Sequence, residues 1–163
     1  MEALWMWPAT GFGLGLSPWA SGTVGSLLAL PLAWWLMGRS RRCRLGLAAA
    51  LLVAAMPMCQ LASDTLGGKD DGRIVLDEIV AFPVAMLGQA APRHPLTLAG
   101  TFVAFRLFDA TKPPPVSQVE AMPGGIGIVL DDLVAAFYAW ALMGLVSPVA
   151  ARWWRRGRGE AGR

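Results

Sequence analysis

Two stretches without a single charge, residues 45–63 and 133–151, constrain this chain more than anything else in it. Each is nineteen residues long. At about 1.5 Å of rise per residue, each comes close to the roughly 30 Å of hydrocarbon that a spanning helix of about 20 residues crosses. Backbone polar groups in hydrocarbon must be satisfied within their own segment, so such runs fold as helices. The rest of the chain agrees: 55% of the 163 residues are hydrophobic and 15% are charged, against about 25% charged in soluble domains. So much apolar surface excludes a disordered chain. The length fits one domain over residues 1–163, with a basic tail at 152–163.

The remaining segments are shorter. Residues 23–37 read as a helix too short to cross, after a start dense in Gly, Ser and Pro. Arg39, Arg41, Arg42 and Arg44 precede the first span, and Pro57 predicts a kink within it. Residues 64–78 break the apolar pattern with five carboxylates; residues 79–91 and 96–108 then read as two short helices around a turn at Arg93, His94 and Pro95. A Pro-rich loop leads to a last helix starting near Ile126. The expected fold is all-α: a compact, membrane-associated bundle of five to six helices, some of them spanning. Glu2 without a neighbouring Lys or Arg lacks the basic flank of a secretory signal, so the N-terminus is expected to be retained.

Short connections make successive helices antiparallel. That sends Asp64, Asp70, Asp71, Asp77, Glu78, Asp109, Asp131 and Asp132 to one end and most arginines to the other. The net charge of +3 comes without the interleaved basic and aromatic residues of a nucleic-acid binder, so no nucleic-acid partner is expected. The exception, Arg152, Trp153, Trp154, Arg155 and Arg156, reads as a membrane-interface anchor. Cys43 and Cys59 have no Cys or His neighbour at metal or redox spacing and read as structural thiols. His94, the single histidine, reads as a loop residue at the end opposite the acids.

Chemistry is expected at the acidic end. If residues 70–78 are helical, Asp70 and Asp77 share one face and Asp71 and Glu78 the next. Clustered carboxylates stay ionised beside a low-dielectric bundle only with compensation, which a hard divalent cation such as Mg²⁺ supplies. The alternative for Asp64, Asp70 and Asp71 is a solvated loop. Asp77 and Glu78 run straight into Ile79, Val80, Ala81 and Phe82, at the first turn of an apolar helix. Asp131 and Asp132 interrupt GGIGIVLDDLVAAFYAW and cannot both face lipid; an ion pair of one of them with Arg106 is the competing reading. Arg106, Asp109 and Lys112, spaced i, i+3, i+6, place two cations around one acid. That arrangement suits a phosphate or forms a plain salt-bridge ladder. The stretch GFGLGLSPWASGTVGS, residues 11–26, offers backbone N–H groups to an anion, and close helix packing explains its small residues equally well.

In their order, GFGLGLSPWASGTVGS, IVLDEIV, FRLFDATKPPP and GGIGIVLDDLVAAFYA resemble the phosphatidylglycerophosphatase A family over about residues 9–140. The resemblance implies a Mg²⁺-dependent lipid phosphatase that converts phosphatidylglycerophosphate to phosphatidylglycerol. Asp77 and Glu78 match the family's Asp-Glu pair; Arg106, Asp109 and Lys112 match its third motif, and Asp131 and Asp132 its fourth. Gly13 and Thr23 fall in the first motif. On this basis Asp77, Asp109, Asp131 and Asp132 are expected to be catalytic. The same four with Glu78 are expected to hold Mg²⁺, and Arg106, Lys112, Gly13 and Thr23 to bind phosphate. Ala81 stands where the family usually has Gly, and Ser21 where it usually has Pro.

Exclusions agree with the resemblance. One histidine is too few for a two-histidine phosphatase, no Cys-x5-Arg or DxDx(T/V) motif occurs, and the DGxxAR signature of CDP-alcohol phosphotransferases is missing. What remains is carboxylate and metal chemistry, through water or an aspartyl nucleophile. The alternative is a small membrane transport protein whose acids form a cation path. The expected location is the bacterial inner (cytoplasmic) membrane, integral. Positive-inside counting puts the arginine end in the cytoplasm, whereas the substrate implied by the resemblance is made on the cytoplasmic leaflet. A cytoplasm-facing site with the short helices partly inserted is the preferred reading.

Overall fold

The computed structural model describes residues 4–19, 21–68 and 71–160, with side chains up to residue 146. All regular structure among these residues is helical: α1 (Met6–Ala9), a 3-10 turn (Leu14–Leu16), α2 (Ser21–Ser26), α3 (Ala29–Met37), α4 (Arg41–Leu66), α5 (Leu76–Ala85), α6 (Pro95–Thr111), α7 (Val116–Glu120) and α8 (Gly124–Glu160). The bundle proper is α3, α4, α5, α6 and α8, with α5 at its centre. Residues 77–85 are all buried, enclosed by α3, α4 and α8. Phe82 of α5 anchors the core edge-on to Phe102 and Phe105 of α6, at ring-centroid distances of 5.7 and 5.9 Å.

Two helices are long and apolar enough to cross a membrane, Arg41–Leu66 and Gly124–Val146. Only 22% of the apolar window of α4 is buried inside the protein, so α4 is no core helix of a soluble domain. Its Val53 and Leu61 point outward, as do Phe137 and Leu145 of α8, and such a surface is stable against lipid rather than water.

Local chemistry sets the helix ends. Ser40 caps α4 by accepting the Cys43 N–H at 3.4 Å, and Gly67 ends the helix in the left-handed region at φ 77°. His94 caps α6, Pro95 opens it, and Lys112 closes it at φ 41° before Pro113. The α4 and α8 backbones touch at Gly125: a Cβ there would run into the Met56 carbonyl, and the Gly125 N–H donates to Gln60 Oε1 at 2.6 Å.

Several elements differ from expectation. The expected helix over residues 23–37 breaks at Leu27 and Leu28 into α2 and α3. Pro31 has no N–H for the Leu27 carbonyl and its ring crowds that group. α5 starts at Leu76 and stops at Ala85, six residues short of the expected Ala91, and Gly88 turns the chain at φ 76°. Met86 and Gln89 remain buried past the helix end, so burial carried the apolar pattern beyond the helix. Residues 71–75 are not helical, so Asp71 does not share a face with Glu78. Asp71 instead holds Arg73 through two side-chain hydrogen bonds, at 2.7 and 2.5 Å, and this keeps its carboxyl below the usual range. Asp70 and the side chains of the basic tail lie outside the described residues. α8 begins at Gly124 rather than Ile126. Cys43 is exposed, Cys59 is buried, and neither is bridged.

At the arginine end, Arg39 stacks on Trp35 at 4.3 Å and Arg93 on Trp34 at 3.8 Å. These contacts hold the α3 and α6 corners by cation–π attraction.

Candidate active site

The acids meet where α5 begins, α6 ends and α8 completes its second turn. Asp77 and Glu78 open α5, and Asp77 Oδ1 accepts the Glu78 N–H at 2.9 Å, satisfying a donor that no helical carbonyl can reach. Glu78 Oε2 lies 2.6 Å from Arg106 Nη1 on α6, and the same nitrogen donates to Asp109 Oδ2 at 2.6 Å. One nitrogen serves two carboxylates, so Glu78 Oε2 gains a charge contact without an aligned hydrogen bond. The Ser26 hydroxyl of α2, which donates to the Thr23 carbonyl at 3.1 Å, stands near the Glu78 carboxylate. Burial pushes the Glu78 carboxyl up to about 7; Arg106 opposes that rise and Asp109 adds to it.

The second cation serves the other side of the cluster. The left-handed turn at Lys112 carries its Nζ out of the α6 path, to 3.0 Å from Asp131 Oδ2 on α8 and 2.7 Å from Glu120 Oε1 on α7. Asp131 Oδ1 accepts the Asp132 N–H at 3.0 Å. The observed ion pairs are therefore Arg106 with Glu78 and Asp109, and Lys112 with Asp131 and Glu120. Neither Asp131 nor Asp132 pairs with Arg106.

Asp132 is the deepest acid. It is 3% exposed, and its carboxylate has no hydrogen bond or ion pair among the described residues. The charges it feels are those of Asp77, Asp109, Glu78 and Asp131. A buried carboxylate among carboxylates calls for a cation opposite it. The donor set is all oxygen, which suits a hard divalent ion such as Mg²⁺ and not a soft one. In chemistry and charge the residues fit that ion, although among the described residues no three of them already converge in metal-holding geometry.

The N-terminal segment reaches the site through residues other than those expected. A Cβ on Gly22 would lie 3.0 Å from Glu78 Oε1 and 3.2 Å from Arg106 Nη2, so the α2 backbone presses directly on that ion pair. Gly25 packs on Val75, and the Ser21 hydroxyl donates to the Gly72 carbonyl at 2.8 Å. These contacts fix the approach to Asp77. Gly13 and Thr23 are not brought to the acids: Gly13 lines an apolar cavity and Thr23 is exposed. Ser26 falls in the first motif of the sequence reading without an assigned role, whereas Glu120, which pairs with Lys112, carries no signal in the sequence.

Two helices long and apolar enough to cross a membrane, with buried acids beside an arginine and a lysine, define a membrane-associated helical protein with an acidic site. The phosphatidylglycerophosphatase A family model matches residues 7–147, and the chain belongs to that family. It is 35% identical over 137 residues to an Escherichia coli K12 protein named phosphatidylglycerophosphatase A, covering 83% of this chain and 78% of that one. A Haemophilus influenzae protein of the same name is 35% identical over 138 residues, 80% of this chain and 81% of the relative. A Bacteroides thetaiotaomicron protein, provisionally named a phosphatidylinositol-3-phosphatase, is 32% identical over 151 residues, 88% of this chain and 91% of the relative. No solved structure matches the chain.

Proposed function

We propose that this enzyme hydrolyses the terminal phosphate of phosphatidylglycerophosphate, giving phosphatidylglycerol and phosphate, with Mg²⁺ as cofactor and with its acidic site facing the cytoplasm from the bacterial inner membrane. The observation that carries the reading is Asp132, a buried carboxylate ringed by acids whose neighbours Asp109 and Asp131 are paired with Arg106 and Lys112. Asp77, Glu78, Asp109, Asp131 and Asp132 would hold the ion. When bound it neutralises phosphate charge and makes a coordinated water acidic. Arg106 uses one nitrogen on two carboxylates, leaving further donors of its planar fork for phosphate oxygens. Lys112 adds a point charge on the opposite side. An aspartate of the cluster takes a proton from the attacking water, or attacks phosphorus itself.

The names of the Escherichia coli and Haemophilus influenzae relatives support this substrate. The Bacteroides relative bears a different headgroup in its name, so both lipids belong in the assay. Detergent-purified protein is expected to release phosphate from phosphatidylglycerophosphate with Mg²⁺ and not with EDTA, and faster than from phosphatidylinositol 3-phosphate. Asp131→Asn should lower turnover by about 100-fold or more, the upper end of what losing even a supporting partner of a metal site costs. No release from the folded protein, together with cation flux in vesicles, would replace this reading with transport.

A further inference from the structure

A cavity of about 410 Å³ opens between the N-terminal segment and the end of α4, lined by Met6, Trp7, Thr10, Phe12, Leu16 and Thr65. Its size falls within the roughly 300–1,000 Å³ of small-molecule pockets. Its walls offer little to a polar guest, because the Thr10 and Thr65 hydroxyls are spent on the Met6 and Leu61 carbonyls, each at 2.7 Å. Of its lining, Trp7 and Phe12 are 62% and 69% exposed, and Trp19 later in the same N-terminal segment is 82% exposed, far more aromatic surface than scattered side chains present. Aromatic residues of this kind settle at the headgroup level of a bilayer. Thr65 lies in the last turn of α4, so the cavity continues the lipid-exposed face that carries Leu61. The segment that carries most of these lining residues is tied to the site. The Ala9 carbonyl accepts the Val75 N–H at 2.9 Å, two residues before Asp77, and Gly15 packs so tightly on the Arg73 carbonyl that a Cβ has no room.

We infer that this cavity holds one acyl chain of the phospholipid whose phosphate reaches the acids. The inference rests on the reading of the chain as a phosphatidylglycerophosphate phosphatase. An acyl chain is the occupant because the cavity is apolar, is continuous with the lipid-facing surface of a span, and shares its backbone contacts with the start of α5. The enzyme thereby grips its substrate at both ends, apolar tail by residues 6–16 and headgroup by α5, α6 and α8.

Binding can be read without activity, using phosphatidylglycerol with a diazirine in one acyl chain and the full-length protein in detergent. Photolabelling of residues 6–16 and Thr65 is expected to saturate near one lipid per chain. Thr65→Trp, which fills the cavity, should weaken it about tenfold, the cost of keeping about two methylenes out of apolar surroundings. The same variant should raise KM for long-chain phosphatidylglycerophosphate about tenfold relative to the deacylated headgroup substrate. Thr65→Leu, a milder filling, should follow the same order and serves if the larger side chain prevents folding. Labelling that never saturates or ignores both variants overturns the inference, as does an equal loss on the two substrates. Saturable labelling with no phosphate release overturns the phosphatase reading instead.

Discussion

Burial raises the proton affinity of Glu78 because a buried carboxylate loses its hydration, and Asp109 adds to the rise while the shared Arg106 opposes it. A carboxyl whose folded pKa lies above its ordinary value stabilises the fold fully below that ordinary value, and the contribution disappears as pH rises through the folded one. In protein stripped of divalent ions, Tm should therefore fall between about pH 4.5 and about pH 7. Glu78→Gln should flatten that decline; parallel pH curves for the two proteins would remove Glu78 as its source. The acids themselves were legible residue by residue, since Asp77, Glu78, Asp131 and Asp132 stand in otherwise apolar sequence. Their partners were less so. Lys112 meets Asp131 across nineteen positions only because its backbone turns left-handed, and nothing in Lys-Pro-Pro-Pro announces that direction.

α4 and α8 depend on one bare backbone contact. At Gly125 an added methyl would displace the Met56 carbonyl, which a helix cannot move cheaply, and would disturb the bond to Gln60. Gly125→Ala should cost about 1–3 kcal/mol, as overpacking usually does, and should lower activity because α8 carries Asp131 and Asp132. Thermal unfolding and phosphate release measured on the same preparation check both. Of the elements, the two spans were readable from charge-free runs, since few sequences but helices can hold such runs in lipid. The break between α2 and α3 was readable in principle from Pro31. The end of α5 was not. Met86 is as buried as Phe82, and burial, not helicity, is what an apolar pattern records.

Across the whole molecule the acids and the arginine–tryptophan stacks occupy opposite ends, as antiparallel connection of the helices predicted. Such a gradient gives the two membrane faces different character, and the side on which each lies is open to measurement. Ser117→Cys on α7, in a Cys43→Ser background because Cys43 is exposed, should react with an impermeant thiol reagent only from the cytoplasmic face. Labelling from the outer face alone would reverse the proposed orientation.

The enclosure of α5 also sets an order of biogenesis. A ten-residue helix bearing two acids is too short and too polar to be retained by lipid on its own. α8 supplies much of the wall it packs against. The acidic site is therefore complete only once α8 is in place, and a chain cut short before Gly124 should release no phosphate.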